Sequence, residues 1–198
     1  MLPISEEQVV CLTKDYTVVV LSISDGRSKI IGNVKGRKIL AMNKKFQMIT
    51  YQPTEKFWYF PEYAVHLSDA SFSSSHKILS FYIDDEGCPP AGLFSPKGDL
   101  IVLWTSDIVD IFNATSGKLQ LKLPEQGGIV DLKFITNRVL MVCSRENVGN
   151  FLRMFDVISE EHLATLDIER EPFCLGVCLN SSRVAVGLSG SDVMLIQV

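Results

Sequence analysis

One hydrophobic pattern recurs along this 198-residue chain with a period in the low forties. Repeats of that length are single supersecondary units that bury their apolar faces only by stacking on their neighbours. Three segments align in register. The first is Ala91–Trp104, Ile108–Lys118 and Leu119–Leu123. The second is Val130–Val142, Phe151–Val157 and Leu163–Ile168. The third is Phe173–Val186 followed by Asp192–Val198. The matching positions Phe94, Phe134 and Cys178 are 40 and 44 residues apart, and Phe112, Phe155 and Ile196 are 43 and 41 apart. An earlier copy stands at Tyr16–Arg27. Aligning its Gly26 with Gly117 gives an offset of 91 residues, two periods, so one more unit is expected between residues 35 and 88.

Inside each unit the apolar runs are short: Gln8–Leu12, Thr17–Leu21, Leu100–Trp104, Arg138–Cys143 and Arg183–Gly187. They are rich in β-branched side chains and bounded by Gly, Asp, Asn, Ser or Pro, the signature of strands and turns. Several are apolar at nearly every position, so burial on both faces is expected. No segment of 12 or more residues keeps a helical period. In the weakly matching middle unit, Phe46–Tyr51 and Lys56–Phe60 read as inner strands and His76–Ile83 as an outer one. Ser68, Ser71, Ser73, Ser74 and Ser75 read as a polar surface insertion.

Each unit therefore reads strand, turn, strand, turn, strand, polar turn, strand. Phe155-Asp156 stands at the end of a third strand, with Phe112-Asn113 in the same place one unit earlier. Phe94-Ser95-Pro96-Lys97-Gly98 forms a first turn, and Thr115-Ser116-Gly117-Lys118 a polar turn before the outer strand. These units resemble WD repeats, in which Trp-Asp occupies the place of Phe155-Asp156. The resemblance implies an all-β fold of β-propeller blades, four antiparallel strands each. About four to five blades are expected, in a partial or open ring. The approximate units are 8–34, 35–87, 88–126, 127–169 and 170–198, within a single propeller segment. The chain has no Gly-His dipeptide and no Trp-Asp, so the family's Asp–His network is expected to be missing. A seven-bladed ring needs roughly 280–315 residues. The chain is thus expected to start inside a blade, to lack an amino-terminal portion, and to end at a true carboxyl terminus after a third strand, Ile196–Val198. It reads as a fragment, a short isoform, or an arc that takes a partner, a second copy or a five-bladed closure.

Composition narrows the function classes. Hydrophobic residues are 46% of the chain, enough for a core. The formal net charge is −4, which disfavours nucleic acid and anionic membrane as partners of the whole chain. No apolar run reaches membrane-spanning length, and the amino terminus has no secretory pattern. A cytoplasmic location is expected, with the five cysteines (Cys11, Cys88, Cys143, Cys174, Cys178) as reduced thiols. A metal site from Cys174, Cys178 and His162 is rejected, because on a strand the two thiols would lie about 13–14 Å apart. No metal or cofactor is expected.

No nucleophile elbow, phosphate loop or zinc-protease motif is present. Asp84-Asp85-Glu86 reads as a solvated turn, and Asp99, Asp107, Asp110 and Asp192 as turn or strand-end residues. The expected function is a non-enzymatic protein–protein interaction scaffold, part of a larger assembly or longer protein. The alternatives are a propeller-fold hydrolase with its site at a central channel, or a truncated non-autonomous isoform. Residues 1–50 hold eight Lys and Arg against four Asp and Glu, and Lys35 and Arg37 are candidate contacts from that basic stretch. Trp58 and Tyr63 are candidates from the aromatic run Phe57–Phe60 and its flank. Arg145 and Asn150 are candidates from Ser144–Asn150, read as a connecting loop longer than its counterparts.

Overall fold

Short β-branched runs between turn formers become strands, and in a computed structural model every regular element among the described residues is one. The described residues are 2–5, 7–53, 62–69, 75–82, 90–124, 127–178 and 183–198. The first sheet joins β1 (Leu2–Pro3), β2 (Gln8–Leu12), β3 (Thr17–Ser22) and β4 (Ser28–Asn33) in that order. The second joins β5 (Lys38–Met42), β6 (Met48–Pro53), β7 (Glu62–Ser68) and β8 (Ser75–Tyr82). The third consists of β9 (Ala91–Phe94), β10 (Leu100–Trp104), β11 (Val109–Asn113) and β12 (Leu119–Lys122). The fourth consists of β13 (Ile129–Phe134), β14 (Val139–Glu146), β15 (Gly149–Asp156) and β16 (Glu161–Ile168). The fifth has three strands, β17 (Pro172–Cys178), β18 (Arg183–Leu188) and β19 (Val193–Gln197).

The recurrence extends to irregularities. In every four-stranded sheet the pairing of third and fourth strands slips by one residue: at Val18/Val19, Val65/His66, Ile111/Phe112 and Met154/Phe155. Such a bulge bends the strand and increases its twist, so each outer strand leaves its sheet in the same manner.

Several expectations need correction. The first sheet already has four strands, its first only two residues long. In the second sheet the innermost strand is β5, and Phe46 sits in the turn before β6 with a φ of 60°. Asn43 imposes that turn, its Oδ1 accepting the amides of Lys45 and Gln47 at 2.9 and 3.0 Å. Ser68 is buried at the end of β7 and donates to Ser75 at the start of β8, so the polar insertion is narrower than expected. Ser144–Asn150 is not a loop. β14 and β15 run through it in continuous register to Glu146 opposite Gly149, leaving only Asn147 and Val148 as the turn. Trp104 ends β10 half-buried. The run Phe57–Phe60 and Asp84–Glu86 lie outside the described residues.

The chain divides into two compact units, Met1–Phe94 with Asn113–Lys118, and Ser95–Phe112 with Leu119–Val198. In the first, Val10, Val18 and Val20 of the first sheet bury against Met42 and Met48 of the second, with Val34 of the connecting turn between them. In the second, Met141, Cys143 and Leu152 of the fourth sheet bury against Leu175, Val184 and Val186 of the fifth. Burial pushes the Cys143 thiol up to about 12, so it stays protonated and serves as a small hydrophobe.

Two glycines with similar backbone show how tightly the turns are set. Gly26 has a φ of +67° and open space where a Cβ would stand; Gly128 has a φ of +50°, and a Cβ there would overlap the carbonyl oxygen of Arg145. Gly26→Ala pays only the left-handed backbone penalty, roughly 1 kcal/mol. Gly128→Ala adds a backbone clash and costs upwards of about 2 kcal/mol. Chemical denaturation of the two variants is expected to rank them in that order, with the larger loss at Gly128.

Candidate protein-interaction face

Antiparallel strands in sequence place the turn between second and third strands at the same end as the link to the next sheet. In the second unit these connections interlock through the backbone. Ile129 N–H donates to Ser106 O at 2.6 Å, and Gly128 N–H to the Asp107 carboxylate at 3.3 Å. Arg145 N–H donates to Gly128 O at 2.9 Å, and Ser189 N–H to Glu171 O at 2.8 Å. Ion pairs Arg145–Glu171 and Arg170–Asp192 continue the row. The connections at 105–108, 127–129, 145–150, 169–173 and 189–192 thus form one laced edge.

The prominent side chains there are apolar. Val148, at the tip of the Asn147-Val148 turn, is 82% exposed, and Phe173, at the start of β17, is 54% exposed. The Arg145 guanidinium stands 5.8 Å from the Phe173 ring centre while paired with Glu171, an electrostatically favourable cation–ring geometry. Behind them Arg153 donates to Ser144 Oγ at 3.0 Å, pairs with Glu146 and lies 4.5 Å from the Phe151 ring centre. The candidates Arg145 and Asn150 are brought together directly across the hairpin, and Asn150 Nδ2 donates to Ile168 O at 3.4 Å. Val148 and Phe173 were missed. Val148 lies in the stretch that reads as a loop but carries neither charge nor ring to single it out, and Phe173 opens a run that reads as core.

In the first unit Lys35 lies in a tight turn, Val34–Arg37, with positive φ at Lys35 and Gly36. The turn is closed by Arg37 N–H donating to Val34 O at 3.1 Å. Val34 is buried and donates to Tyr16 O at 2.9 Å, and Asn33 Nδ2 donates to Asp15 O at 2.8 Å, so this turn is tied to the one between β2 and β3. Lys35 is exposed. Arg37 is partly buried and committed internally, Nε to Gln52 Oε1 at 3.2 Å and Nη1 to Ser75 Oγ at 2.9 Å. Tyr63 pairs through its backbone with Pro53 and Phe81. Its side chain, and all of Trp58, lie outside the described residues. Both residues of Cys174 and Cys178 lie on strand β17, exposed, four positions apart.

No family model matches the sequence, and no curated protein does. Solved structures do match. A chain in the crystal structure of the Mitotic Checkpoint Complex superposes with a TM-score of 0.64 at 9% identity, over 96% of this chain and 57% of that one. The WD40 β-propeller domain of Doa1 superposes with a TM-score of 0.60 at 11% identity, over 99% of this chain and 63% of that one. The fold is that of WD40 β-propellers, built of repeated antiparallel sheets, and the chain spans about three-fifths of the length of these structures.

Among the acids weighed for chemistry, Asp99 serves the turn between β9 and β10. Burial raises its pKa, but the Ser95 hydroxyl and the Asn137 amide outweigh that and hold the carboxyl below its usual range. Asp110 on β11 is different. It is buried, its Oδ1 accepts no hydrogen bond, and burial pushes its pKa up despite Lys122 at 3.7 Å. A raised folded-state pKa means the charged form is disfavoured by folding. The penalty is full above that pKa and disappears as pH falls through it toward the unfolded value. Asp110→Asn is therefore expected to raise the melting temperature at pH 7, with the gain shrinking as pH approaches 4. A melting series from pH 4 to 8 on both proteins checks the sign.

Proposed function

We propose that this protein is a non-enzymatic interaction scaffold that presents the laced turns of its second unit to a protein partner. The carrying observation is the pair of exposed apolar side chains, Val148 and Phe173, set around Arg145 on turns that hydrogen-bond to one another. Aromatic and arginine side chains in such settings supply most of the energy of protein interfaces, each up to about 2 kcal/mol or more on truncation. Turns already tied together lose little entropy on binding. Membership in a larger assembly fits this reading: one of the similar chains comes from the Mitotic Checkpoint Complex. A cytoplasmic setting is part of the proposal, resting on the sequence reading of the cysteines as reduced thiols. Lys35 is the candidate contact in the first unit, where its side chain is exposed.

The test uses a matched control at the opposite strand ends. Ile158, in the turn between β15 and β16, is 60% exposed. Affinity enrichment from cells is compared for the unmodified chain, for Val148→Asp with Phe173→Asp, and for Ile158→Asp. The double variant is expected to lose partners that the Ile158 variant keeps, with all three melting alike. Equal retention by all three would overturn the reading.

A further inference from the structure

One end of the first unit gathers cations that nothing there neutralises. The turn between β2 and β3 carries Lys14, Asp15 and Tyr16. The link from β4 to β5 carries Lys35 and Arg37, and Lys38 opens β5 beside it. Bonds from Val34 and Asn33 to the carbonyls of Tyr16 and Asp15 join the two turns, so these residues stand at the same end. Lys14, Tyr16, Lys35 and Lys38 are exposed. Asp15 is the one acid among the described side chains there, and its oxygens accept the hydroxyls of Thr13 and Thr17. Arg37 donates to Gln52 and Ser75, both neutral acceptors, which leaves its charge uncompensated. The corresponding end of the second unit is arranged the other way: Arg145, Arg153 and Arg170 are each paired with a carboxylate.

The backbone sets these side chains out at a cost. Tyr16 has a φ of 63° and Lys35 a φ of 49°, a left-handed conformation unfavourable for both side chains. Each is held there by its neighbours. Tyr16 N–H donates to Thr13 O at 3.1 Å while its own carbonyl accepts Val34, and Lys35 N–H donates to Asn33 Oδ1 at 2.8 Å. The Tyr16 ring is left 44% exposed between the two lysine-bearing turns. Unfavourable backbone that persists because its surroundings fix it is concentrated at binding sites, and an exposed tyrosine on a fixed turn is a favoured interface anchor.

We propose that this end of the first unit is a docking surface for a short acidic segment of a partner protein. Lys14, Lys35 and Lys38 attract its Asp and Glu side chains, Arg37 adds its charge from behind, and the Tyr16 ring packs on an apolar side chain set among the acids. Charge complementarity selects the occupant. Residues 51–198 hold eleven Lys and Arg against nineteen Asp and Glu. A long polyanion or a broad anionic surface reaching beyond this end is repelled by that excess, whereas a segment of a few residues stays within the cationic region. The proposal rests on the scaffold reading for there being a protein partner, names the partner's chemistry at Lys35, and does not depend on the laced turns.

The probe is a fluorescein-labelled synthetic peptide of glutamates flanking one leucine, titrated into the full chain by anisotropy at physiological salt. Saturable binding is expected, weakening as salt is raised, and the same peptide with glutamines is expected not to bind. Lys14→Glu with Lys35→Glu is expected to weaken binding about tenfold or more, two attractions being replaced by repulsions. Lys44→Glu with Lys45→Glu is the matched control. Both residues are exposed in the turn between β5 and β6, at the opposite end of the same unit. A six-residue strand such as β3 separates the ends by about 20 Å, well beyond the Debye length of about 8 Å, so binding within about twofold of the unmodified chain is expected. Tyr16→Asn keeps a side chain that accepts left-handed backbone. It is expected to melt no lower and to bind about fivefold more weakly. Val148→Asp with Phe173→Asp is expected to bind the peptide unchanged, so failure here and failure of the laced turns are read separately. Absence of saturable binding, equal loss in the two lysine pairs, unchanged affinity in Tyr16→Asn, or tighter Lys14- and Lys35-dependent binding of phosphatidylserine vesicles or single-stranded DNA than of the peptide would each overturn the proposal.

Discussion

Val184 and Val186 of β18 and Cys143 and Leu152 of the preceding sheet bury one another almost completely. The placing of the fourth and fifth sheets face to face follows from that contact. Each such side chain is worth roughly 1.5–3 kcal/mol when fully buried, and neither sheet can collect that energy alone. The same logic runs through Val10, Val18, Met42 and Met48 in the first unit. A sheet used on both faces cannot alternate apolar and polar residues along its strands. That is why β10 and β14 are nearly continuous apolar runs.

Stacking fixes the strands and leaves the turns to be organised separately. In the second unit the turns use one another as hydrogen-bond partners, from Ser106 and Asp107 through Gly128 and Arg145 to Glu171 and Ser189. Backbone groups that would otherwise face solvent are satisfied across sheets. Gly128 is needed there because Arg145 O lies where its side chain would begin. Variation among side chains on such a row changes recognition without touching the core, a division of labour that suits display.

The strands were legible because their apolar runs and the forty-odd-residue period are local properties of the sequence. The laced face was legible only in part. Arg145 and Asn150 could be singled out as charged and polar residues of a stretch that reads as a long connecting loop, but the hairpin extends to Glu146 and Gly149, which depends on the neighbouring strand. Phe173 opens an apolar run and reads as core; in the fold it is the extra residue of the bulge between Pro172 and Cys174 and stands exposed. Arg37 errs the other way. A basic residue between glycine and lysine reads as a free cation, yet Gln52 and Ser75, fifteen and 38 residues away, take up its donors. Long-range hydrogen bonds of this kind leave no pattern in a single sequence.

With neither a Gly-His nor a Trp-Asp dipeptide in the sequence, the question is what holds consecutive units in register. Three polar ties answer it, each about one repeat long. Lys97 N–H donates to Asn137 Oδ1 at 2.8 Å, across 40 residues. Asn137 Nδ2 donates to the Asp99 carboxylate at 3.1 Å, across 38. Leu175 N–H donates to Asp131 Oδ2 at 2.9 Å, across 44, joining the inner strands β13 and β17. Within the fourth sheet, Asp156 at the Trp-Asp position accepts Arg138 and the turn amides of Ile158 and Ser159. A charged acceptor on a backbone amide is among the stronger hydrogen bonds, and it specifies which strand may lie beside which where apolar packing alone would tolerate a slip. The repeat is thus kept in phase by carboxylates and an asparagine at turns and inner strands. A fold usually recognised by its signature dipeptides persists here without them, because the work of alignment has moved to other side chains.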